Sequence, residues 1–391
     1  MLCEFWTCIN WRQDGLFDRL CALAPGFRNQ LRRRSFPPEV APFIHTYGFR
    51  EWGRQIAGFL NWQALIQDDR DVFNIDAVYL SLDRRVARRL GEGLTIKAVF
   101  GYDGGALETF RVAKKRGILC LYEHPIVHWR VSQQFQREEA ELRPEWAPTL
   151  GALRDSEEKL ARKDEELALA DVVITPSHFS KESLARATSL TAPVDIIPYG
   201  TNPSQTIISR PQKAGKLRVL FVGALTQAKG LGYLLDAAEL VRERIELTLI
   251  GHRVSAEMPR QAMLEGYRWI PSLSHADLLQ EMARHDVLVL PSLNEGFGLV
   301  LAEAMAQRLT VIATPHTAGP DLFTDGVEGF LVPIRSAAAI AEKLLLLDGE
   351  RDRLAGMQEA AWRRAMTNSW ENYRRRLIAL AQEVVARSPV S

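Results

Sequence analysis

The chain has 391 residues, more than one ordinary hydrophobic core accommodates, which predicts two domains. Hydrophobic residues make up 47% of it, charged residues 25%, and the net charge is +1, so no strongly basic surface indicates a nucleic-acid partner. No apolar run reaches the roughly 18 residues that span a bilayer, and the first residues lack the pattern of a signal peptide. We therefore expect a cytoplasmic protein.

The first ninety residues are rich in tryptophan and arginine and show no clear order of strand, glycine turn and helix. Within them, Arg32, Arg33 and Arg34 form a short basic run. Such a run is either a solvated surface or a contact with anionic lipid at the inner face of a membrane. We favour the solvated surface and keep peripheral membrane contact as the alternative.

From about residue 95, short β-branched or apolar runs alternate with helical stretches, which predicts an α/β fold with two doubly wound parallel-sheet units in series. The predicted strands are TIKAVF (95–100), ILCLY (118–122), DVVITP (171–176), VDIIPYG (194–200), LRVLFVG (217–223), IELTLIG (245–251), DVLVLPS (286–292) and LTVIATP (309–315). The predicted helices are 105–115, 153–170, 179–187, 229–243, 275–284, 298–307 and 336–348.

The segment AVFGYDGGALETF places Asp103, Gly104 and Gly105 in a turn between a strand and a helix. It is not a phosphate-binding P-loop, because the pattern GxxxxGK[ST] is absent. Two roles are open for Asp103: it binds hydroxyls of a ligand, or it caps the following helix.

Two histidines follow the next strand, His124 at its end and His128 four residues later. A lone histidine in such a place is usually structural, and a functional role for each of them stays open. No cysteine or further carboxylate stands at ligand spacing, so we predict no metal site. The charged helix at 153–170 is interpreted as a solvated face without chemistry.

A turn-rich stretch without clear periodicity, residues 200–216, separates the two α/β runs and marks a linker. We therefore predict an N-terminal domain at 1–204, a C-terminal domain at 205–365 and a terminal helix at 366–391.

The segment LVLPSLNEGFGLVLAEAMAQR carries the strongest indication of function. A buried strand ends at Leu290, a polar turn follows, and Gly296 and Gly298 precede a helix. The N-terminus of such a helix offers free amides and a positive dipole to a phosphate. Because ligands of parallel sheets bind beyond the carboxyl ends of the strands, the turn should lie at the ligand.

Two glutamates flank this predicted phosphate-binding helix N-terminus. Glu295 lies in the turn, and Glu303, about five residues into the helix, reaches a group about one sugar length away. Carboxylates accept hydrogen bonds from hydroxyls, so the pattern suits a sugar nucleotide. Glu303 would bind the ribose, Glu295 the transferred sugar, and the amides of Phe297 to Leu299 the diphosphate.

These segments resemble the family 4 retaining glycosyltransferases, which have the GT-B architecture of two Rossmann-like domains facing a cleft. NEGFGLVLAEAM looks like the family's E-x7-E signature. VLFVGALTQAKGLGYLLDA, IPYGTN and TAGPDLFTDGVEGFLVP are similar to other family segments in order and spacing. The resemblance covers nearly all of the chain from about residue 95.

The resemblance implies a metal-independent hexosyltransferase without a cofactor, which moves a sugar from a UDP- or GDP-linked donor to a glycan, lipid-linked or small-molecule acceptor. It implies that Gly223 and Lys229 line the donor site, and that His124 or His128 is a catalytic residue near the transferred sugar. The turn of Asp103, Gly104 and Gly105 would lie on the acceptor side, where Asp103 binds acceptor hydroxyls unless it caps the helix. The family usually has arginine after this glycine, whereas this chain has Ala224. The terminal helix is expected to return to the N-terminal domain.

Domains of this family open with a central strand, a glycine turn and a long helix. Here CEFWTCINW resembles the second strand, so we expect the N-terminal domain to lack its first strand and helix, as in a late-starting or truncated chain. The alternatives are a non-catalytic GT-B-like subunit that binds a sugar nucleotide or a partner protein, and a sugar-nucleotide epimerase. A glycosidase is disfavoured, because Glu303 is better placed along a nucleotide than across one glycosidic bond.

Overall fold

The computed structural model of the chain describes residues 2–12, 25–32, 34–66, 71–202, 215–254, 259 and 266–387. The chain divides into two compact units. Unit 1 consists of Met1–Glu123, Asp155–Val173 and Ser189–Pro193, and unit 2 of His124–Arg154, Ile174–Thr188 and Val194–Ser391. The predicted boundary after residue 204 and Arg33 of the basic run lie outside the described residues, and the predicted domain limits stay a prediction.

Strands and helices alternate along most of the chain. Up to residue 202 the elements are β1 (Phe5–Thr7), α1 (Pro25–Arg32), β2 (Ile44–Thr46), α2 (Phe49–Phe59), α3 (Ile75–Gly91), β3 (Ala98–Tyr102), α4 (Leu107–Lys115), β4 (Leu119–Glu123), α5 (Trp129–Leu142), α6 (Glu157–Leu169), β5 (Val172–Thr175), α7 (His178–Ser183) and β6 (Val194–Ile196). From residue 215 they are β7 (Leu217–Val222), α8 (Leu231–Leu240), β8 (Ile245–Ile250), β9 (Arg268–Ile270), α9 (His275–Met282), β10 (Val287–Leu290), α10 (Leu299–Ala306), β11 (Thr310–Ala313), α11 (Gly319–Leu322), β12 (Gly329–Leu331), α12 (Ala337–Gly349), α13 (Arg351–Met366) and α14 (Trp370–Arg387).

The strands of the described residues form three sheets. β1 and β2 form a parallel pair, so the segment CEFWTCINW does contribute a strand. A four-stranded sheet has the order β3-β4-β5-β6, and a six-stranded parallel sheet has the order β12-β11-β10-β7-β8-β9. The eight predicted strands and the seven predicted helices are all confirmed, with ends that differ by a few residues.

β7 shows why an uninterrupted apolar run makes a central strand. Val219 and Phe221 belong to a core cluster shared with α8 and α12, whereas Leu220 belongs to a second cluster shared with α10. Alternate side chains of a strand point to opposite faces, and both faces of this sheet are covered by helices. Trp146 is also fully buried in the first cluster.

The N-terminus of α4 in unit 1 is capped by two buried carboxylates. Glu166 accepts hydrogen bonds from the amides of Gly104, Ala106 and Leu107, at 2.7, 3.0 and 3.2 Å. Asp83 accepts from the next two amides of the helix, at 2.8 and 2.9 Å. Carboxylates favour this end of the helix dipole, so the first turn of α4 is neutralised by the chain itself.

The interpretation of residues 153–170 as a purely solvated face was wrong. α6 buries Leu160, Lys163, Glu166 and Leu167, and Glu166 is completely inaccessible. The Nζ of Lys163 donates to Asp103 at 2.9 Å. The polar residues of this helix face inward because their partners are the turn before α4.

Over the described ranges, no helix combines the length and the apolarity that crossing a bilayer needs.

We predict that Glu166 makes stability depend on pH. Burial raises its pKa from 4.5 to about 6, against hydrogen bonds from Ala106 and Tyr122 that favour the charged form. The pKa of Glu166 is higher in the folded protein than in the unfolded chain. Glu166 therefore contributes fully to the free energy of unfolding below about pH 4.5, and this contribution is lost as the pH rises through 6. Denaturant unfolding of Glu166→Gln and the wild type should show a stability gap that narrows by about 2 kcal/mol between pH 4.5 and 7.

The exposed Glu158 of the same helix supplies the control, since Glu158→Gln should keep the wild-type pH profile. A gap between Glu166→Gln and the wild type that stays constant with pH would contradict the assignment.

Candidate functional site

The candidate site lies where the winding of the six-stranded sheet reverses. On one side of β7 the sheet continues with β8 and β9, and on its other side with β10, β11 and β12. β7 and β10 are neighbours, with Val219 opposite Val287. Parallel sheets bind ligands beyond the carboxyl ends of their strands at such a switch point. The loops that follow β7 and β10 therefore define the site.

The loop after β7 holds Lys229 in a tight turn. Gly223 directly follows the strand, and its amide donates to the carbonyl of Ile250 at 2.9 Å. A single 3-10 turn, Gln227–Lys229, follows, in which the hydroxyl of Thr226 accepts from the Lys229 amide at 3.3 Å. Gly230 then adopts a φ of +71°, and a Cβ atom on it would lie 2.0 Å from the carbonyl oxygen of Pro291. Glycine is thus required where the two loops touch.

The loop after β10 ends at α10, as the sequence predicts. Gly298 has a φ of +79° and begins the helix, and Leu299, its first residue, is partly exposed. Phe297 is buried, and its ring lies edge-on to Tyr199, with 5.3 Å between the centroids. Gly296 is buried as well, and only glycine fits there, because a Cβ atom would lie 2.0 Å from the carbonyl oxygen of Pro125.

Lys229 and Glu295 form an ion pair across the switch point, between the ammonium and Oε2 of the carboxylate. Both side chains are half-buried. The Glu295 amide also donates to the carbonyl of His316 at 2.8 Å, which holds the backbone of this loop. The structure thus brings together two residues that the sequence separates by 66 positions.

Glu303 lies in the second turn of α10 and is half-buried. Burial raises the pKa of its carboxyl group, and the charge of His275 opposes that rise. The Nδ1 atom of His275 lies 3.7 Å from Oε1 of Glu303. His275 begins α9 and is exposed, so this contact lies at the surface.

His124 and His128 both lie in unit 2 and are buried, with ring centroids 6.4 Å apart. The amide of His124 donates to Ile174 at 2.8 Å. His128 caps α5, because its Nδ1 accepts from the Arg130 amide at 3.4 Å. Its own amide donates to the hydroxyl of Ser183 at 2.9 Å. These contacts explain structural roles, and a catalytic role for either histidine stays a prediction.

A buried polar network behind Lys229 escaped the sequence analysis. Gln227 is completely inaccessible, and its side-chain amide donates to Glu139 at 2.6 Å and accepts from Gly232 at 2.9 Å. Its backbone amide donates to the hydroxyl of Thr149 at 3.0 Å. Glu139, also inaccessible, accepts from Arg335 at 2.8 Å. These bonds fix the turn that carries Lys229, but polar burial between distant segments leaves no periodic pattern in a sequence.

Asp103, Gly104 and Gly105 lie in unit 1, and Asp103 is tied down on two sides. It accepts from the Tyr122 hydroxyl and from Lys163, each at 2.9 Å. The capping role considered for Asp103 is wrong, because Glu166 and Asp83 cap α4. Binding of an acceptor by this turn stays a prediction.

Residues 216–348 match the protein family described as Glycosyl transferases group 1. A phosphatidyl-myo-inositol mannosyltransferase of Mycobacterium leprae is 34% identical over 182 residues, 43% of this chain and 48% of that protein. A D-inositol 3-phosphate glycosyltransferase of Corynebacterium urealyticum is 31% identical over 175 residues, 41% of each chain. The chain thus matches less than half the length of these relatives.

Solved structures agree on the fold over a larger part of the chain. A sucrose-phosphate synthase of Thermosynechococcus elongatus superposes with a TM-score of 0.64 at 19% identity and 83% coverage of both chains. HepE of Anabaena, in complex with UDP, gives 0.60 at 14% identity, covering 97% of this chain and all of that one. The predicted GT-B fold, with two Rossmann-like domains of parallel sheet, is confirmed.

We predict that Gly230→Ala destabilises the protein by roughly 2–4 kcal/mol, because the new methyl group meets the Pro291 carbonyl and the backbone is left-handed. Gly356 of α13 is the matched control, since it is exposed and has no atom within 4 Å of an added Cβ. Gly356→Ala should raise stability by about 0.5–1 kcal/mol. Urea titrations measure both values, and equal effects of the two substitutions would contradict the close approach of the loops.

Proposed function

We propose that the chain moves a sugar from a nucleotide-activated donor to an acceptor hydroxyl, because residues 216–348 match the family described as Glycosyl transferases group 1. One observation carries the proposal: Lys229 and Glu295 meet at the switch point of the sheet, beside the N-terminus of α10. A cation, a helix N-terminus and a carboxylate at one place suit a ligand that joins a diphosphate to a polyhydroxylated ring.

In the proposed complex, the donor diphosphate replaces Glu295 as the partner of Lys229. The ammonium and the amides of Phe297 to Leu299 then hold the phosphates, and the released carboxylate accepts hydrogen bonds from the sugar hydroxyls. The ion pair supports this exchange because both side chains already reach the same point. Glu303, one turn into α10, binds the ribose. The donor is UDP- or GDP-linked, and the complex of HepE with UDP favours testing UDP first.

We propose that transfer retains the configuration of the sugar and requires neither a metal ion nor a cofactor. The acceptor oxygen bonds to the anomeric carbon on the face that the diphosphate leaves, as the bond from that carbon to the phosphate oxygen breaks. The acceptor proton passes to the departing phosphate oxygen. Lys229 and the helix amides stabilise the negative charge that develops there, which is a large term in such reactions.

The acceptor is proposed to be a hydroxyl of a glycan, a lipid-linked sugar or a small polyol. Two relatives carry inositol in their names, and a third is an amylovoran biosynthesis glycosyltransferase of Erwinia amylovora, 31% identical over 151 residues. Asp103 remains the candidate for the acceptor side, and His124 and His128 remain candidates near the transferred sugar.

We expect the protein to release nucleoside diphosphate from a UDP- or GDP-sugar when acceptors are supplied. Lys229→Met should lower kcat/KM by about 100- to 1000-fold, since it removes charge stabilisation from the leaving group. Lys216→Met is the control, because Lys216 precedes β7 at the opposite end of the strand and bonds to the carbonyl of Arg242. Coupled nucleotide-release assays measure all three proteins.

Binding of sugar nucleotides without release in the presence of acceptors would establish a non-catalytic subunit instead. Interconversion of the donor sugar without an acceptor would establish an epimerase. If Lys229→Met and Lys216→Met lowered kcat/KM equally, the assignment of Lys229 to the donor site would be wrong.

We expect Glu303→Gln to weaken donor binding about 10- to 100-fold, the range of a hydrogen bond to a charged group. The ribose assignment is tested with UDP and its 2′,3′-dideoxy analogue as competing ligands. The wild type should bind UDP more tightly than the analogue, whereas Glu303→Gln should bind the two alike. Glu342→Gln, on the exposed face of α12, should behave as the wild type. A preference for UDP that survives in Glu303→Gln would place the ribose elsewhere.

A further inference from the structure

A cavity opens where the strands of the six-stranded sheet begin, within unit 2. Its volume is about 780 Å³, in the range of pockets that hold small ligands. Charged residues from the starts of β7, β8 and β9 and from the ends of α8 and α9 line it, among them Arg218, Glu246, Arg268, Arg242 and Arg284. This cavity is named the edge cavity.

The edge cavity is separate from the candidate donor site. Lys229 and Glu295 lie in loops that follow β7 and β10, whereas the edge cavity lies where β7 begins. From Arg218 to Gly223 the strand runs roughly 17 Å, at about 3.3 Å per residue. A ligand of the edge cavity is therefore a second ligand, in addition to the proposed sugar-nucleotide donor.

Positive charge is in excess around the edge cavity. Its lining includes one lysine and four arginines against two glutamates. Asp286 neutralises Arg218 through hydrogen bonds of 2.6 and 2.9 Å. Glu281 pairs with both Arg268 and Arg284, so one carboxylate faces two guanidinium groups. Arginines grouped in this way bind phosphates, because each guanidinium offers several donors to the phosphate oxygens.

Helix dipoles explain only part of this charge. Two of the four arginines follow the C-termini of α8 and α9, where cations are favoured. Arg218 and Arg268 come from strands instead. They are paired in register with Glu246 and Thr248 of β8, which point to the same face of the sheet. A helix dipole gives no reason for two arginines on that face.

Two buried polar side chains open onto the edge cavity. Thr248 and His285 are only 5% and 4% exposed, and both line it. The Nδ1 of His285 donates to the carbonyl of Glu281 at 2.8 Å. Within the described residues, neither the His285 Nε2 nor the Thr248 hydroxyl has a hydrogen-bond partner. Buried polar groups are almost always hydrogen-bonded, so these two atoms are placed to bind a ligand.

The protonation of His285 defines the group that it binds. A carbonyl oxygen only accepts, so the proton of the neutral ring lies on Nδ1 and Nε2 carries a lone pair. Burial lowers the pKa of His285, which keeps the ring neutral at pH 7. Its Nε2 therefore accepts a hydrogen bond, and the ligand has to supply a hydroxyl as well as a negative charge.

We propose that the edge cavity binds a phosphorylated sugar or polyol. The phosphate contacts Arg242 and Arg284, which are both exposed, and ligand hydroxyls bond to Nε2 of His285 and to Thr248. A phosphate without hydroxyls reaches the arginines alone, and a neutral sugar reaches only the histidine and the threonine. Only a ligand that carries both groups uses the whole site.

The experiment is isothermal titration calorimetry of the full chain at pH 8, with glucose 6-phosphate as the probe. We expect saturable binding at one site, at least tenfold tighter than the binding of methyl phosphate or of glucose, and weaker at high salt. Methyl phosphate has the phosphate without hydroxyls, and glucose has hydroxyls without the phosphate. Lys229→Met should bind the probe as the wild type does, because this substitution changes only the donor site.

The double variant Arg242→Gln/Arg284→Gln should weaken binding of the probe more than tenfold, since it removes both charges that contact the phosphate. The matched control is Arg363→Gln/Arg387→Gln, which removes two exposed arginines from the last turns of α13 and α14. It should bind the probe as the wild type does. Thr248→Val keeps the size of the side chain and should weaken binding about three- to tenfold. Circular dichroism should show the same fold for all variants.

The proposal is overturned if glucose 6-phosphate does not bind, or if it binds no more tightly than methyl phosphate. It is also overturned if Arg242→Gln/Arg284→Gln and its control bind the probe alike. Loss of binding in Lys229→Met would assign the probe to the donor site instead. The titration contains no sugar nucleotide and measures no transfer, so failure here is distinct from failure of the proposed glycosyl transfer.

Discussion

The geometry of the candidate site depends on the buried amide of Gln227. Three hydrogen bonds, with Glu139, Gly232 and Thr149, hold this residue and so fix the conformation of the turn. The next glycine, Gly230, presses against the carbonyl of Pro291. The loop after β7 is thereby fixed against the loop after β10, and Lys229 has only to extend its side chain to reach Glu295. The buried hydrogen bonds of Gln227 thus set the position of the loop, while the charged side chains of Lys229 and Glu295 stay partly accessible to solvent.

Much of the fold could be predicted because a strand that is buried on both faces appears in the sequence as a continuous apolar run. β7 is apolar at nearly every position, since helices cover both sides of its sheet, and the same holds for β10 and β11. Helix α10 could be placed because Gly298 must begin it with a left-handed backbone. Such patterns involve only a few neighbouring residues, so they can be recognised without knowledge of the rest of the chain.

The remaining features depend on contacts between distant segments. Lys229 and Glu295 were both candidates for the donor site, but their contact follows from the strand order, which places β10 beside β7. Glu139 and Glu166 stand in strongly charged stretches that resemble solvated helix faces, and only the folded chain shows that their partners are backbone amides and buried side chains. In α2 the periodic pattern would assign the aromatic residues to the core, whereas Glu51 occupies it.

The caps of α4 make the two strand-glycine-helix turns of this chain unequal. At α4 the hydrogen-bond acceptors that a helix N-terminus attracts are the carboxyl groups of Glu166 and Asp83, which are part of the chain. At α10 the corresponding turn contains glycines, and the nearby carboxylate of Glu295 is engaged by Lys229. Under the proposed function, the protein's own carboxylates meet this electrostatic demand at α4, and the donor diphosphate meets it at α10. A turn capped by the protein's own side chains has a fixed structural role. If the donor binds at α10 as proposed, that second turn exchanges its anion once in every catalytic cycle.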